Sequence, residues 1–247
     1  MMRAYLKSLY ARTMREAYLF ARNEISRSDD LQERFLDCGC GGGHEIARIS
    51  QLLGREPIHF TGIEWNDHAL EVARGRGYTV LKGDLNDKLP IESESQDCVY
   101  ALSLLEHLLM PCAFLKECYR VLRPGGRLVV LTPNISTYFT AVLILAGRMP
   151  SSGPHPDSNA LIASEELVRV TKLEHADVEQ DSPEHRHLVV FSFLALRKFL
   201  RLAGFNVEKN RGFGLYPLPN FVQPAFERLD PYHCHQMVFV CRKPQPT

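Results

Sequence analysis

Apolar positions in the first part of the chain recur with the period of an α-helix. In residues 2–25 an apolar side chain stands at every third or fourth position, and basic residues lie between them. Such spacing puts the apolar groups on one face of a helix and the charges on the other. We therefore predict an amphipathic N-terminal helix that packs on a core formed by later residues. Its apolar face comprises Leu6, Leu9, Tyr10, Met14, Ala17, Tyr18 and Ala21.

After residue 30, short apolar runs alternate with segments of helical period. Alternating strands and helices form a parallel sheet that is covered by helices on both faces. We therefore predict an α/β fold with a doubly wound, mainly parallel sheet. The predicted strands are 34–39, 59–65, 79–84, 98–104 and 127–133, and the predicted helices are 43–53, 67–75 and 111–122.

Beyond these elements the alternation stops. An uncharged helix is predicted near 136–147, and the Pro, Ser and Gly residues of 150–159 predict a mobile loop. Ser192 stands where it can cap a further helix, and Gly204 is typical of a helix end. A helix after Ser164 and two closing strands at 205–211 and 236–242 complete the prediction.

The first predicted strand ends in an acid and runs into a glycine cluster. Gly39 and Gly41 accept positive φ angles and lack a Cβ atom, so the backbone there can press against a ligand. A dinucleotide fingerprint would need glycine where His44 stands. Asp37 suits a ligand that carries an ammonium group, whereas it would repel a pyrophosphate. S-adenosylmethionine, an adenosine joined to a sulfonium and an amino acid, fits this loop.

Two more acids end predicted strands. Glu64 ends the second strand and could bind both ribose hydroxyls of an adenosine. Asp84 ends the third strand and precedes Leu85, which suits an adenine amino group and an adenine face, respectively. Each acid also has a simpler explanation, because acids at strand ends often cap the next helix.

These residues stand in the order typical of one large enzyme family. The motifs are Asp37-x-Gly39-x-Gly41-x-Gly43, Glu64, Gly83-Asp84, Gln96-Asp97-Cys98-Val99 with Leu105-Glu106-His107-Leu108, and Val121-Leu122-Arg123-Pro124-Gly125-Gly126-Arg127-Leu128. Over roughly residues 34–133 the chain resembles the class I S-adenosylmethionine-dependent methyltransferases. The resemblance implies a Rossmann-like sheet of seven strands with an antiparallel last strand. It also implies S-adenosylmethionine as cofactor and S-adenosylhomocysteine as product.

The resemblance assigns individual residues to the cofactor. Asp37, Gly39 and Gly41 would hold the methionine end, Glu64 the ribose, Asp84 and Leu85 the adenine, and Ser103 would lie beside the methionine. Cys40 and Trp65, which adjoin these residues, are further candidates for cofactor binding. Length and composition predict a single domain over residues 1–247. The predicted parts are an N-terminal helical lid at 1–30, a cofactor-binding core at 31–133, an acceptor-side insertion at 134–190, and a C-terminal helix with closing strands at 191–247.

The acceptor side should follow the fourth strand, because ligands of open α/β sheets lie beyond the carboxyl ends of the strands. A hydroxyl acceptor needs a base, and Glu106, His107, His185 and His187 are candidates. We predict His107 as the base, because the ordinary pKa of histidine, about 6.5, suits proton abstraction near neutrality. A packing role of His107 is the simpler alternative.

Histidines alternate in two segments, as His185 with His187 and as His233 with His235. This spacing matches no zinc motif. From the sequence we therefore predict no bound metal.

Composition and charge limit the classes of partner that the sequence favours. The chain has 247 residues, of which 45% are hydrophobic and 23% charged, and its formal net charge is zero. This balance is typical of a globular protein and does not favour nucleic acid as a partner. Seven cysteines without paired C-x-x-C motifs indicate reduced thiols and a cytoplasmic location. The longest uncharged apolar stretch, 135–147, is shorter than the ~20 residues that span a bilayer, although its 141–145 face could touch a membrane edge.

Three functions are compatible with these patterns. The first is methyl transfer to a hydroxyl of a small molecule that is apolar or sugar-like. The second is a regulatory, non-catalytic protein of the kind found in methionine biosynthesis. The third, an NAD-dependent oxidoreductase, is disfavoured by His44. The sequence leaves the oligomeric state open.

Overall fold

The computed structural model describes residues 2–27, 30–150, 152–158, 161 and 186–246, and within these residues it contains seven strands and seven α-helices. The strands are β1 Phe35–Cys38, β2 Phe60–Glu64, β3 Thr79–Lys82, β4 Gln96–Leu102, β5 Leu122–Pro133, β6 Asn206–Phe213 and β7 Gln236–Arg242. The helices are α1 Met2–Ile25, α2 His44–Leu53, α3 Asp67–Gly75, α4 Pro111–Val121, α5 Tyr138–Leu145, α6 Phe193–Leu202 and α7 Gln223–Leu229, with short 3₁₀ turns that include Leu105–His107.

The strands form one sheet in the order β3-β2-β1-β4-β5-β7-β6. Strands β1 to β5 are parallel, whereas β7 runs antiparallel to both β5 and β6. This confirms the predicted seven-stranded, mainly parallel α/β sheet with an antiparallel last strand. The chain direction of the crossovers reverses between β1 and β4, which opens a crevice at the carboxyl ends of these two strands.

Helices cover both faces of the sheet. One core layer joins α1, α2 and α3 to the sheet, and the other joins α4 and α6 to the opposite face. Ala17, Ala21 and Ile25 of α1 are fully buried, so the amphipathic N-terminal helix is part of the core. Its end is tied to β5, because the Arg127 guanidinium donates to the Ile25 carbonyl at 2.6 Å and pairs with buried Glu33 at 2.8 Å.

Two differences from the predicted elements have local causes. Strand β5 begins at Leu122, ahead of the predicted start, because Gln96 pairs with Leu122 before a bulge shifts the register. Helix α7 was not predicted, since Pro219 and Pro224 around its start suggest a loop, yet proline is tolerated in the first turn of a helix. The helix predicted after Ser164 lies outside the described residues.

In the described part of the chain, no helix combines the length and apolar character that a bilayer crossing requires. All seven cysteines fall within the described ranges and carry free thiols.

We expect the cap of α6 to contribute measurably to stability. Ser192 Oγ accepts a hydrogen bond from the Ala195 amide, as the sequence predicts. Replacing Ser192 with Ala should lower the free energy of unfolding by about 1 kcal/mol. Ser192→Asp, which keeps an oxygen acceptor, should cost far less in the same urea titration. Equal losses in both variants would show that the cap is not the cause.

Candidate active site

The glycine loop crosses the carboxyl ends of β1 and β2. The amides of Gly39 and Cys40 both donate to the Ile63 carbonyl, at 2.9 and 3.1 Å. Gly41 has a φ of 51°, and no atom lies within 4 Å of the place where its Cβ would stand. The loop is therefore held to β2 on one side and leaves open space beside Gly41, where a ligand can approach the backbone.

Asp37 lies at the base of this loop and is only 4% exposed. Its Oδ2 atom has no hydrogen-bond partner among the described residues. Burial raises the pKa of this carboxyl well above its ordinary value, the charges of Glu45 and Glu64 add to the shift, and the neighbouring Tyr100 hydroxyl opposes it. A buried carboxyl without a partner is costly, and a cationic ligand group would relieve that cost.

Glu64 fastens the loop to the end of β2. Its carboxylate accepts hydrogen bonds from the backbone amides of Gly41 at 2.8 Å, and of Trp65 and Asn66 at 2.9 Å. Glu64, which the sequence predicts to bind the ribose, thus also holds the glycine loop in place. Trp65 is 52% exposed.

Three more residues that the sequence predicts to bind the cofactor are Cys40, Asp84 and Leu85. Cys40 turns its thiol inward, because a Cβ at Gly62 would lie 2.5 Å from that sulfur, so only the Cys40 backbone can face a ligand. Asp84 follows β3 at the same sheet edge, and its carboxylate accepts from the amide and side chain of Asn86 at 2.9 Å. Leu85 is buried in the core.

Ser103 connects the loop region with α1. It directly follows β4, has a φ of 54°, and accepts a hydrogen bond from the Tyr18 hydroxyl at 3.1 Å. Burial raises the pKa of Tyr18 to about 12. The next turn of α1 is anchored to α2, because Arg22 makes two hydrogen bonds to Glu45 at 2.7 and 2.8 Å. Tyr18 was not predicted as a site residue, although a phenol on the buried face of the helix was the available signal.

Glu106 and His107 lie on the acceptor side, in the 3₁₀ turn after β4. Glu106 is 2% exposed, and its Oε2 atom accepts a hydrogen bond from the Thr132 hydroxyl at 2.9 Å. Burial raises the pKa of Glu106 to about 7. His107 donates from Nδ1 to the Arg186 carbonyl at 2.9 Å. Thr132, at the end of β5, was missed because a threonine in a strand carries no sequence signal of its own.

A later segment meets this turn. The Leu188 amide donates to the Glu106 carbonyl at 2.6 Å, and the His187 ring stands edge-on to the His107 ring at 5.2 Å. His187 thus joins the candidate residues, whereas His185 lies outside the described residues.

His233 and His235 lie in different surroundings, although they alternate in the sequence. His233 pairs with Asp230 at 2.8 Å and stacks on Tyr138, away from the other histidines of the site. His235 is buried, and burial together with nearby His187 lowers its pKa to about 4. It stacks on Tyr216 at 5.0 Å.

Tyr10 of α1 is a second aromatic neighbour of His235. Its ring stands edge-on to His235 at 5.8 Å. Burial and, secondarily, the Glu106 carboxylate raise the pKa of the Tyr10 hydroxyl. Aromatic rings from α1 and from the segment after β6 therefore pack around His235.

Comparison with known proteins agrees with this geometry. Residues 36–130 match the sequence model of a family described as "Methyltransferase domain". This segment of the chain is therefore a methyltransferase domain, as the sequence motifs predict. A curated relative, the ubiquinone biosynthesis O-methyltransferase of Vibrio vulnificus, is 27% identical over 157 residues, which cover 59% of this chain and 65% of that protein. The match therefore spans just under two thirds of the relative's length.

Two solved structures show the same fold. A SAM-dependent methyltransferase from Thermotoga maritima superposes with a TM-score of 0.54 at 19% identity, covering 98% of this chain and 100% of that one. The cyclase SpnF superposes with a TM-score of 0.60 at 19% identity, covering 94% and 82% of the two chains. Because one of these neighbours is described as a cyclase, the likeness establishes the fold and leaves the chemistry to the site.

Proposed function

We propose that this protein transfers the methyl group of S-adenosylmethionine to a hydroxyl oxygen of a small molecule. The observation that carries the proposal is the buried Asp37 carboxyl, whose Oδ2 atom has no hydrogen-bond partner among the described residues and which lies at the base of a glycine loop with open space at Gly41. The backbone amides and the carboxylate together suit a ligand that is cationic at its amino-acid end.

The cofactor supplies an activated methyl group, so the protein has to bind, align and exclude water. We assign Asp37 and the glycine loop to the amino-acid end, Glu64 to the ribose, and Asp84 with Leu85 to the adenine. The hydrogen bond between Tyr18 and Ser103 links α1 to the end of β4, so we also assign these two residues to the cofactor site. Alignment of this kind contributes roughly 7 kcal/mol or more to a displacement in favourable cases.

The acceptor side supports a hydroxyl acceptor. Glu106, His107 and His187 form a polar group next to Ser103, and removal of a hydroxyl proton needs such a group. The rings of Tyr10 and Tyr216 favour a flat, apolar acceptor beside it. The name of the Vibrio vulnificus relative supports the same reaction class.

We also propose a weak contact with membranes that hold an apolar acceptor. Val142, Ile144 and Leu145 of α5 are exposed, Leu145 by 88%. Sedimentation with liposomes checks this, and recovery of all protein in the supernatant would remove the membrane contact from the proposal.

Calorimetry tests the cofactor assignment. S-adenosylmethionine and S-adenosylhomocysteine should each bind at one site per chain, and NAD should give no heat. The fluorescence of Trp65, next to Glu64, provides a second signal. Binding of NAD alone would favour an oxidoreductase. Binding of S-adenosylhomocysteine by a protein that copurifies with another enzyme and methylates no acceptor would favour a regulatory role.

A further inference from the structure

Three metal-ligating side chains converge from two distant segments of the chain. Glu106 and His107 come from the turn after β4, and His187 comes from the segment that docks on it. One ligand atom from each residue lies within 4.8 Å of the others. Glu106 and His107 follow Ser103, a predicted cofactor residue, by three and four positions along the chain.

We propose that Glu106, His107 and His187 bind one divalent transition-metal ion of the Zn²⁺ or Co²⁺ class, with its remaining positions open toward the acceptor. The alternating histidines of the sequence predict no metal, because their spacing matches no motif. The fold assembles the ligands instead from residues that are far apart in sequence.

Each ligand is oriented by a second protein group. His107 and His187 donate their Nδ1 protons to the backbone carbonyls of Arg186 and Ser152, respectively. These bonds place the imidazole lone pair on Nε2, the form that ligates metals, and such outer hydrogen bonds accompany most metal-binding histidines. The Thr132 hydroxyl orients the Glu106 carboxylate through a hydrogen bond at 2.9 Å.

The two segments are joined independently of an ion. The Leu188 and Val189 amides donate to the Glu106 carbonyl at 2.6 and 3.4 Å. The His155 amide donates to the His187 carbonyl at 2.9 Å. The ligand set is therefore largely preformed, which lowers the entropic cost of binding.

A further buried imidazole lacks a hydrogen-bond partner. His235 is 8% exposed, and its Nδ1 atom has no hydrogen-bond partner in the described part of the chain. A buried nitrogen of this kind is costly unless a polar ligand such as water pairs with it.

The ligand types select the metal class. Two imidazoles and one carboxylate suit Zn²⁺ and similar transition metals, whereas Mg²⁺ and Ca²⁺ prefer oxygen ligands. Three protein ligands with an open position are typical of catalytic zinc sites. Ligand bonds of about 2.0–2.2 Å would draw the three atoms closer than their present spacing.

The consequence for catalysis rests on the proposed function. A divalent ion lowers the pKa of a hydroxyl that it binds. An acceptor hydroxyl held there would release its proton to solvent, and its oxygen would face the cofactor. His107 would then be a ligand rather than the base that its sequence position suggests.

Titration of EDTA-treated, dialysed protein with Co²⁺ and Zn²⁺ tests the site. We expect one ion per chain, with Co²⁺ absorption between about 500 and 650 nm, characteristic of a low-coordinate site with an open position. His107→Ala, His187→Ala and Glu106→Gln should each weaken binding at least ~10-fold. His233→Ala, a matched control outside the group, should not change it.

Two further measurements distinguish loss of the metal site from misfolding of a variant and from failure of the proposed function. Affinity for S-adenosylhomocysteine reports folding of the variants and the proposed function separately from the metal. Pulsed EPR of Cu²⁺-loaded wild-type protein should detect two coordinated imidazoles. Absence of stoichiometric binding in wild-type protein that binds S-adenosylhomocysteine, or binding lost in His233→Ala and kept in His187→Ala, would overturn the inference.

Discussion

Asp37→Asn is expected to weaken S-adenosylmethionine binding at least ~30-fold without harming the fold. The substitution keeps the shape of the side chain but removes the charge that would meet the cofactor's ammonium group. Truncating one member of a buried charge pair costs about 2–5 kcal/mol, and 2 kcal/mol corresponds to about 30-fold in affinity. Calorimetry on both proteins measures the difference. Asp67→Asn is the control, because Asp67 is an exposed acid that pairs with Lys82.

The same substitution should leave the unliganded protein as stable as the wild type or more stable at neutral pH. Burial raises the pKa of Asp37 in the folded state, so the unfolded chain ionises first as the pH increases. The wild type therefore loses stability as the pH rises above the ordinary carboxyl pKa of about 3.9, and the asparagine variant does not. Urea midpoints measured from pH 4 to 7 should diverge in favour of Asp37→Asn. A variant that is less stable at neutral pH would make Asp37 a structural residue.

Cofactor affinity should show the opposite pH dependence. Binding beside a cation favours the ionised carboxylate, so the wild type should release a proton when it binds. Its affinity should rise with pH until Asp37 is already ionised in the free protein. The variant should show no such rise, which calorimetry in buffers of different ionisation enthalpy can resolve.

The fold was predictable from the sequence because its signals are local. Helix α3 and strand β7 begin and end at the predicted residues, since apolar periodicity and flanking turns define both. The same holds for the Ser192 cap. The start of β5 was not predictable, because a bulge next to Gln96 extends the pairing through a Pro-Gly-Gly segment that indicates a turn.

The site was predictable only where single residues carry a signal. Acids and glycines at strand ends identify Asp37, Gly39 and Glu64 as neighbours, because parallel strands bring their carboxyl ends to one edge. The sequence could not show that Glu64 would accept three backbone hydrogen bonds of its own loop. Nor could it place Tyr18 over Ser103, since that contact depends on how α1 packs on the sheet.

The histidines illustrate the limit most clearly. The alternating sequence pattern gives no reason to distinguish His187 from His185, or His233 from His235. The structure places His187 and His233 in different surroundings, because the Leu188 amide holds the segment of His187 on Glu106, whereas the His233 ring pairs with the Asp230 carboxylate. Tertiary contacts, rather than the sequence pattern, therefore determine which histidine lies at the proposed reaction site.

His107→Ala is expected to lower methyl-transfer turnover at least ~100-fold while affinity for S-adenosylhomocysteine stays unchanged. His187→Ala should have a similar effect, because the two imidazoles serve the same proposed ion. The decisive measurement is the double variant. Groups that act as one unit are not additive, so the double variant should be about as slow as either single one. Effects that multiply would indicate separate roles, with His107 as an independent base. His233→Ala controls for the loss of an imidazole, and a loss below about threefold in His107→Ala would exclude His107 from the mechanism.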